Sequence, residues 1–220
     1  PSPKPIRVTP LLDEEERPIY IKLMGKLKER PVHKPKPIQV GGKYYIYVGF
    51  KKHLTPLIHS AISKLTNGVT VNYGMKVDVV LREMKTIDVK IPEKFSRVRI
   101  HFVSPTIFPD PFQRKNRVKR FLPLSGFVFY VNIVDLFRKN RRSMTWKMSE
   151  SLIETHTVLD RVKKVWYYYD GKWLPGVVGF SDYILTNDTE EIREIIKDGI
   201  EMGVGSGRAV GFGFAKIEFF

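Results

Sequence analysis

Residues 203–220 have the sequence "GVGSGRAVGFGFAKIEFF". Five glycines fall within eleven residues, Arg208 lies among them, and an apolar run follows. Glycine loses more backbone freedom on ordering than any other residue, so such a loop needs a reason to be ordered. Dinucleotide-binding motifs and P-loops place their glycines after a strand and before a helix. The predicted order here is helix 187–203, glycines, strand, which excludes both motifs.

The helix before the loop is the clearest predicted element of the chain. Asp188 and Glu191 form a capping-box pattern at its start. One face is lined by Ile192, Ile195, Ile196 and Ile200. The simplest role of the glycines is to turn this helix back into a last strand, with Gly203 or Gly205 ending the helix. The remaining glycines exceed that need and indicate a loop that a second backbone approaches closely.

The charge of the chain suggests what that second backbone is. The 220 residues carry 38 Lys+Arg against 23 Asp+Glu, a net charge of +15 with a pI near 9.9. This excess points to a polyanion, with nucleic acid first and an anionic membrane surface second. The alternative is a protein that is merely basic. We therefore predict RNA at the glycine loop, with Arg208 contacting phosphate.

The composition also excludes several classes of protein. Cysteine is absent, which excludes disulfides, thiolate metal sites and a cysteine nucleophile, and suits a cytoplasmic location. No apolar run approaches the roughly 18 residues of a membrane span. The segment that opens the sequence lacks the charged and apolar regions of a signal peptide.

The order of predicted elements indicates an α+β fold. In the first half, strands surround one helix over 55–66, with Leu57, Ile58, Ala61, Ile62 and Leu65 as its apolar face. The second half has a strand over 97–108, a helix over 126–140, two strands within 161–185 around a turn at Asp170–Gly171, the helix 187–203 and a last strand. We predict two tandem ferredoxin-like (β-α-β-β-α-β) domains, at 1–95 with an irregular N-terminal arm and at 96–220.

The glycine stretch resembles the C-terminal signature of the CRISPR-associated repeat-processing endoribonucleases of the repeat-associated mysterious protein (RAMP) superfamily. That signature is Gly-x-Gly, a short polar stretch, and Gly-aromatic-Gly leading into the last strand. The matching residues are Gly203, Gly205, Gly211, Phe212 and Gly213. Three further segments are similar to the family in the same order: "FVSPTIF" (102–108), "FLPLSGFVFYVNIVDLF" (121–137) and "PGVVGFSDYIL" (175–185).

The resemblance implies two ferredoxin-like domains and cleavage of CRISPR repeat RNA, the precursor of guide RNA, without metal or cofactor. The ribose 2′-hydroxyl attacks the adjacent phosphate and leaves a 2′,3′-cyclic phosphate and a 5′-hydroxyl. Such a reaction needs a general base, a general acid and a cation. The alternatives are an inactive RNA-binding relative, a subunit of a CRISPR effector complex, or a ferredoxin-like RNA-binding protein of translation.

The candidate catalytic residues surround the start of the first helix, where family members often carry a histidine. His59 lies about 130° from the centre of the apolar face at about 100° per residue, on the polar side of the helix. His53 follows Lys51 and Lys52, which are placed to hold a phosphate. The lysines and the helix N-terminus favour a neutral imidazole at His53. His101, on the polar side of a strand, is an alternative RNA contact.

Three basic segments complete the predicted RNA-binding surface: "RKNRVKR" (114–120), "RKNRR" (138–142) and "RVKK" (161–164). Each could be a solvated face, but three of them beside aromatic residues favour a groove for an RNA backbone. The predicted RNA-binding residues are Gly203, Gly205, Gly207, Arg208, Gly211 and Gly213 of the loop, with Arg114, Lys115, Arg117, Lys119, Arg120 and Arg141.

Overall fold

A computed structural model describes residues 4–24, 34–36, 38–72, 76–112, 119–155 and 162–220. Its strands are β1 (Ile6–Val8), β2 (Leu11–Leu12), β3 (Pro18–Ile19), β4 (Lys22–Met24), β5 (Val48–Phe50), β6 (Val69–Asn72), β7 (Lys76–Val79), β8 (Arg97–Thr106), β9 (Phe108–Pro109), β10 (Lys119–Arg120), β11 (Leu152–Glu154), β12 (Val162–Tyr169), β13 (Lys172–Leu185) and β14 (Ala215–Phe219). Its α-helices are α1 (Thr55–Thr66), α2 (Ser125–Val128), α3 (Tyr130–Leu136), α4 (Arg141–Ser151) and α5 (Glu190–Met202). Short 3₁₀ turns cover Lys52–Leu54 and Arg208–Val210.

The second half of the chain builds the main sheet. Strands β14, β8, β13, β12 and β4 are neighbours in that order, and all the pairs are antiparallel. Along the chain, β8 leads through α2–α4 to β12 and β13, and α5 then leads to β14. This is a β-α-β-β-α-β path with its last strand beside its first, as predicted for this half. The α+β class is therefore confirmed.

The first half is simpler than the sequence predicts. Its described strands form the two-stranded pairs β1–β5, β2–β3 and β6–β7, beside the helix α1. A second ferredoxin-like sheet is not confirmed, and β4 joins the main sheet across the predicted division at 95/96. Leu57 of α1 is 64% exposed, although the predicted apolar face includes it.

The core lies between the main sheet and the helices of the second half. Ile100 and Phe102 of β8, Tyr183 of β13, and Ile192 and Ile195 of α5 are buried there. The single helix predicted over 126–140 is divided into α2 and α3, and α4 was not predicted because its sequence is strongly polar.

Two helix ends also bear on the predictions. The capping box is wrong: α5 begins at Glu190, and Asp188 instead forms an ion pair of 2.6 Å with Arg193. The predicted stop at Gly203 is confirmed, since this residue follows α5 with a φ of 75°. In the part of the chain that the structure covers, no helix is both long and apolar enough to cross a membrane.

Candidate functional site

Polar side chains from three distant segments gather at the C-terminal end of α5. Arg7 donates from Nη1 to the Ile200 carbonyl at 3.3 Å, and Arg208 donates from Nη1 to the Gly203 carbonyl at 3.3 Å. The amide of Asn132 donates to the same Gly203 carbonyl at 3.0 Å. The last carbonyls of a helix have no partner within it and carry partial negative charge. The three side chains supply hydrogen-bond donors to the carbonyls of Ile200 and Gly203.

Two carboxylates, Asp135 and Asp198, each pair with both Lys51 and Arg208. Asp198 accepts from Lys51 Nζ at 2.7 Å with one oxygen and from Asn132 Nδ2 at 2.7 Å with the other. Lys51 Nζ also lies 3.1 Å from Asp135, and Arg208 Nη1 lies 3.6 Å from Asp198. We call Lys51, Asp135, Asp198 and Arg208 the ion cluster. It joins β5, α3, α5 and the glycine loop.

Burial and neighbouring charges shift the pKa values of Arg7, Lys51 and Arg208. Burial lowers the pKa of Arg208, and burial together with the nearby Arg208 charge lowers the pKa of Arg7 to about 10. Burial also acts to lower the pKa of Lys51, but the carboxylates of Asp198 and Asp135 outweigh it and raise that pKa. Lys51 is therefore a charged anchor at neutral pH, with its ammonium held by the protein's own carboxylates.

This anchor fixes the start of the predicted catalytic segment. The Lys51 amide donates to the Pro5 carbonyl at 3.0 Å, and a Cβ on the neighbouring Gly49 would lie 1.9 Å from the Glu201 carbonyl. The chain thus leaves β5 pressed against the end of α5. Lys52 and His53 follow in the 3₁₀ turn, and both are exposed. His53 is two residues from Lys51, within about 7 Å along the chain.

The other histidines occupy different places. His59 is exposed on α1, as the helical wheel predicts. His101 Nε2 lies 3.2 Å from Glu218, and its ring is 5.5 Å from that of Phe180 on the main sheet. His33 and His156 lie outside the described residues.

The glycine loop corrects an expectation about what approaches it. All five glycines have positive φ, and four of them, at 203, 205, 211 and 213, are buried; Gly207 is exposed. A Cβ on Gly213 would lie 1.9 Å from the Val204 carbonyl, and one on Gly205 would lie 2.7 Å from the Ile107 carbonyl. The backbone that these glycines admit is therefore the protein's own.

Arg208 requires the same correction. The sequence predicts a phosphate contact, but the side chain is only 4% exposed and belongs to the ion cluster. Its position in the loop gave no sign of this, because its carboxylate partners come from α3 and α5. Asp198 did carry a signal, since it lies three residues after Ile195 and four before Met202, on the apolar face of α5. A carboxylate on such a face indicates a buried cation partner.

The predicted basic residues are described only in part. Arg114, Lys115 and Arg117 lie outside the described residues, and of Lys119 only the backbone is described. Arg120 Nε donates to Asp110 at 2.9 Å. Arg141 is exposed and donates to the Arg138 carbonyl at 3.1 Å.

Residues 138–142, here called the basic turn, follow α3, include the first two residues of α4 and are all exposed. They begin three residues after Asp135, which is the ion-pair partner of Lys51. Since His53 is two residues from Lys51, the Lys51–Asp135 pair brings the exposed turn that carries His53 and the basic turn into one neighbourhood. This ion pair is the described link between the segment that carries His53 and the segment that leads into the basic turn.

The chain is similar to known proteins in structure. No family model matches the chain, and no curated protein does. Among solved structures, the product complex of the Thermus thermophilus Cas6 protein TTHB231 matches with a TM-score of 0.66 at 13% identity, over 98% of this chain and 82% of that one.

Two further structures agree with this match. A Cas6-related protein of Pyrococcus furiosus gives a TM-score of 0.57 at 15% identity, over 97% of this chain and 78% of that one. A RAMP protein described as binding different RNA substrates gives 0.56 at 15% identity, over 97% and 79%. The chain has the fold of the Cas6-type proteins of the RAMP superfamily.

Proposed function

We propose that this protein is an endoribonuclease that binds CRISPR repeat RNA and cleaves it, without metal or cofactor, to produce guide RNA. The observation that carries the proposal is the exposed His53, held beside the ion cluster and the exposed basic turn. Support comes from the net charge of +15 and from a Cas6-type fold that extends over 98% of the chain.

The proposed reaction is an attack of a ribose 2′-hydroxyl on the adjacent phosphorus. His53 takes the proton of that hydroxyl, a bond forms between the 2′-oxygen and phosphorus, and the bond from phosphorus to the 5′-oxygen breaks. The departing 5′-oxygen receives a proton, for which His59 is the candidate donor. Lys52 stabilises the charge that develops on the phosphate. Lys51, first predicted to share that task, is a positioning residue because its ammonium is held by Asp135 and Asp198.

A second candidate function is RNA binding without cleavage, in an inactive relative or as a subunit of a CRISPR effector complex. One observation favours it: none of the residues of α1, the helix that carries His59, is buried. Proton transfer depends on groups held in a fixed geometry, which a loosely covered helix provides poorly.

The test uses the whole protein with a panel of 5′-labelled CRISPR repeat RNAs in EDTA. We expect cleavage at one position, with a 2′,3′-cyclic phosphate on the upstream product. His53→Ala should slow it by about 10²–10⁴-fold, the usual contribution of a positioned base. His59→Ala tests the acid. His101→Ala tests the alternative RNA contact at a histidine that is paired with Glu218 on the main sheet.

Three outcomes would contradict the proposal in different ways. Unchanged cleavage by both His53→Ala and His59→Ala would remove the assigned site. Cleavage that needs an added divalent metal would remove the proposed chemistry. Tight binding of repeat RNA without any cleavage would favour the second function.

A further inference from the structure

Trp146 of α4 is an exposed aromatic side chain that the proposed cleavage does not use. It is 55% exposed, whereas the other two tryptophans, Trp166 and Trp173, are 8% and 4% exposed. A large aromatic ring left in water is informative, since indole surface is usually covered. The exposed face of Trp146 therefore suggests a binding surface.

The indole is supported from one side. The ring centroids of Phe112 and Trp146 are 5.0 Å apart, with an interplanar angle of 31°. The ring centroids of Phe112 and Phe127 are 6.2 Å apart. This support limits the motion of the indole and leaves it as a prepared flat surface. Less conformational entropy is then lost when a ligand stacks on it.

The charges around Trp146 indicate the chemistry of its partner. Residues 136–149 contain no acidic residue and five cations: Arg138, Lys139, Arg141, Arg142 and Lys147. Arg142 lies four residues before Trp146, so the two share one helix face, and both are exposed. Glu150, one turn beyond Trp146, bounds this surface at its other end. The ligand that fits is planar and carries negative charge at regular intervals.

We infer that Trp146 stacks on an unpaired base of bound RNA while Arg142 and the other cations of the basic turn neutralise the flanking phosphates. This inference rests on the proposed function and adds to it a single-stranded RNA segment on α4, outside the cleavage site. Along the sequence the basic turn lies between Asp135, the ion-pair partner of Lys51, and Trp146, and we expect one RNA strand to follow that order from the His53 segment to Trp146. Stacking uses the face that every base has, so it carries no base specificity.

The test uses tryptophan fluorescence, because Trp146 is the one tryptophan of the three that is largely exposed. The whole protein is titrated with oligouridylate RNA, and the anisotropy of a dye-labelled copy of that RNA is followed in parallel. Binding should quench the emission, and the quenching should disappear in Trp146→Phe. Trp146→Ala should weaken binding by about five- to 150-fold, as expected for loss of one stacked base.

Two further variants separate stacking from surface and charge effects. Ile87→Ala removes a side chain that is 62% exposed elsewhere on the chain and should leave the affinity unchanged. Arg142→Ala should weaken binding and reduce the slope of log affinity against log salt by about one. If Trp146→Ala melts early, Trp146→Phe still decides the matter, because its ring keeps the fold while the quenching signal is lost.

The outcomes distinguish the inference from the proposed function. RNA binding by anisotropy, with unquenched emission and an unchanged affinity of Trp146→Ala, overturns the inference and leaves the proposed function standing. An absence of binding to oligouridylate overturns the inference alone, and an absence of binding to the CRISPR repeat RNAs as well overturns both. Quenching by a protein partner in place of RNA would also overturn the inference. Quenching that saturates with the anisotropy, and is lost in Trp146→Phe, supports it.

Discussion

Replacement of Asp198 by asparagine should destabilise the protein strongly. Both carboxylate oxygens of Asp198 accept hydrogen bonds at 2.7 Å, one from Lys51 and one from Asn132. An amide of the same size must turn its NH₂ group toward one of these donors. It also leaves Arg208, which is 4% exposed, with Asp135 as its remaining carboxylate in the ion cluster.

The expected loss is about 3–5 kcal/mol of unfolding free energy, the usual result of breaking a buried ion pair from one side. For a chain of this size that corresponds to a fall in Tm of roughly 6–20 °C. Urea unfolding followed by circular dichroism measures it, with the exposed Glu194→Gln on the same helix as the matched control. A loss below about 1 kcal/mol would refute the reasoning that Asp198 is the buried carboxylate on which Lys51 and Arg208 depend.

Three other expectations follow from the structure. Gly213→Ala should destabilise the protein far more than Gly171→Ala. The two glycines have nearly the same φ, 70° and 72°, but a Cβ would clash with the Val204 carbonyl only at position 213. Equal melting temperatures of the two variants would contradict this. Hydrogen bonds from Lys216 and Tyr47 lower the pKa of Glu16. The wild-type protein should therefore be more stable than Glu16→Gln above pH 4.5, and this difference should vanish as the pH falls through the lowered pKa. A loss that persists in acid would show another cause. Affinity for RNA should fall steeply with salt, and a flat response would exclude binding through the basic turn.

Local patterns allowed much of the second half to be predicted. The isoleucine face of α5 and the hairpin at Asp170–Gly171 depend on residues close in sequence, and both are present. The split of 126–140 was missed because it falls at a single residue, Phe129, whose backbone has φ −93° and ψ 4° between α2 and α3. The sequence has no glycine or proline at that point to mark the break.

The candidate site was harder to predict because its contacts are long-range. The histidine positions came from the family resemblance, and their roles remain proposals. The ion pairs of Arg208 and of Lys51 both depend on Asp135 and Asp198, which come from other elements. Similarly, the close approach of Gly205 to the Ile107 carbonyl follows from the fold of the loop onto the end of β8, which glycine content alone does not indicate.

The most direct test of the proposed chemistry compares two RNAs in EDTA under single-turnover conditions. One is a CRISPR repeat RNA that the protein binds, and the other has a single 2′-deoxyribose on the 5′ side of the cleaved bond. The proposal predicts that both bind equally, that the first is cut to a 2′,3′-cyclic phosphate, and that the second stays intact. Cleavage of the deoxy-substituted RNA at the same rate, or binding of both without any cleavage, would contradict it.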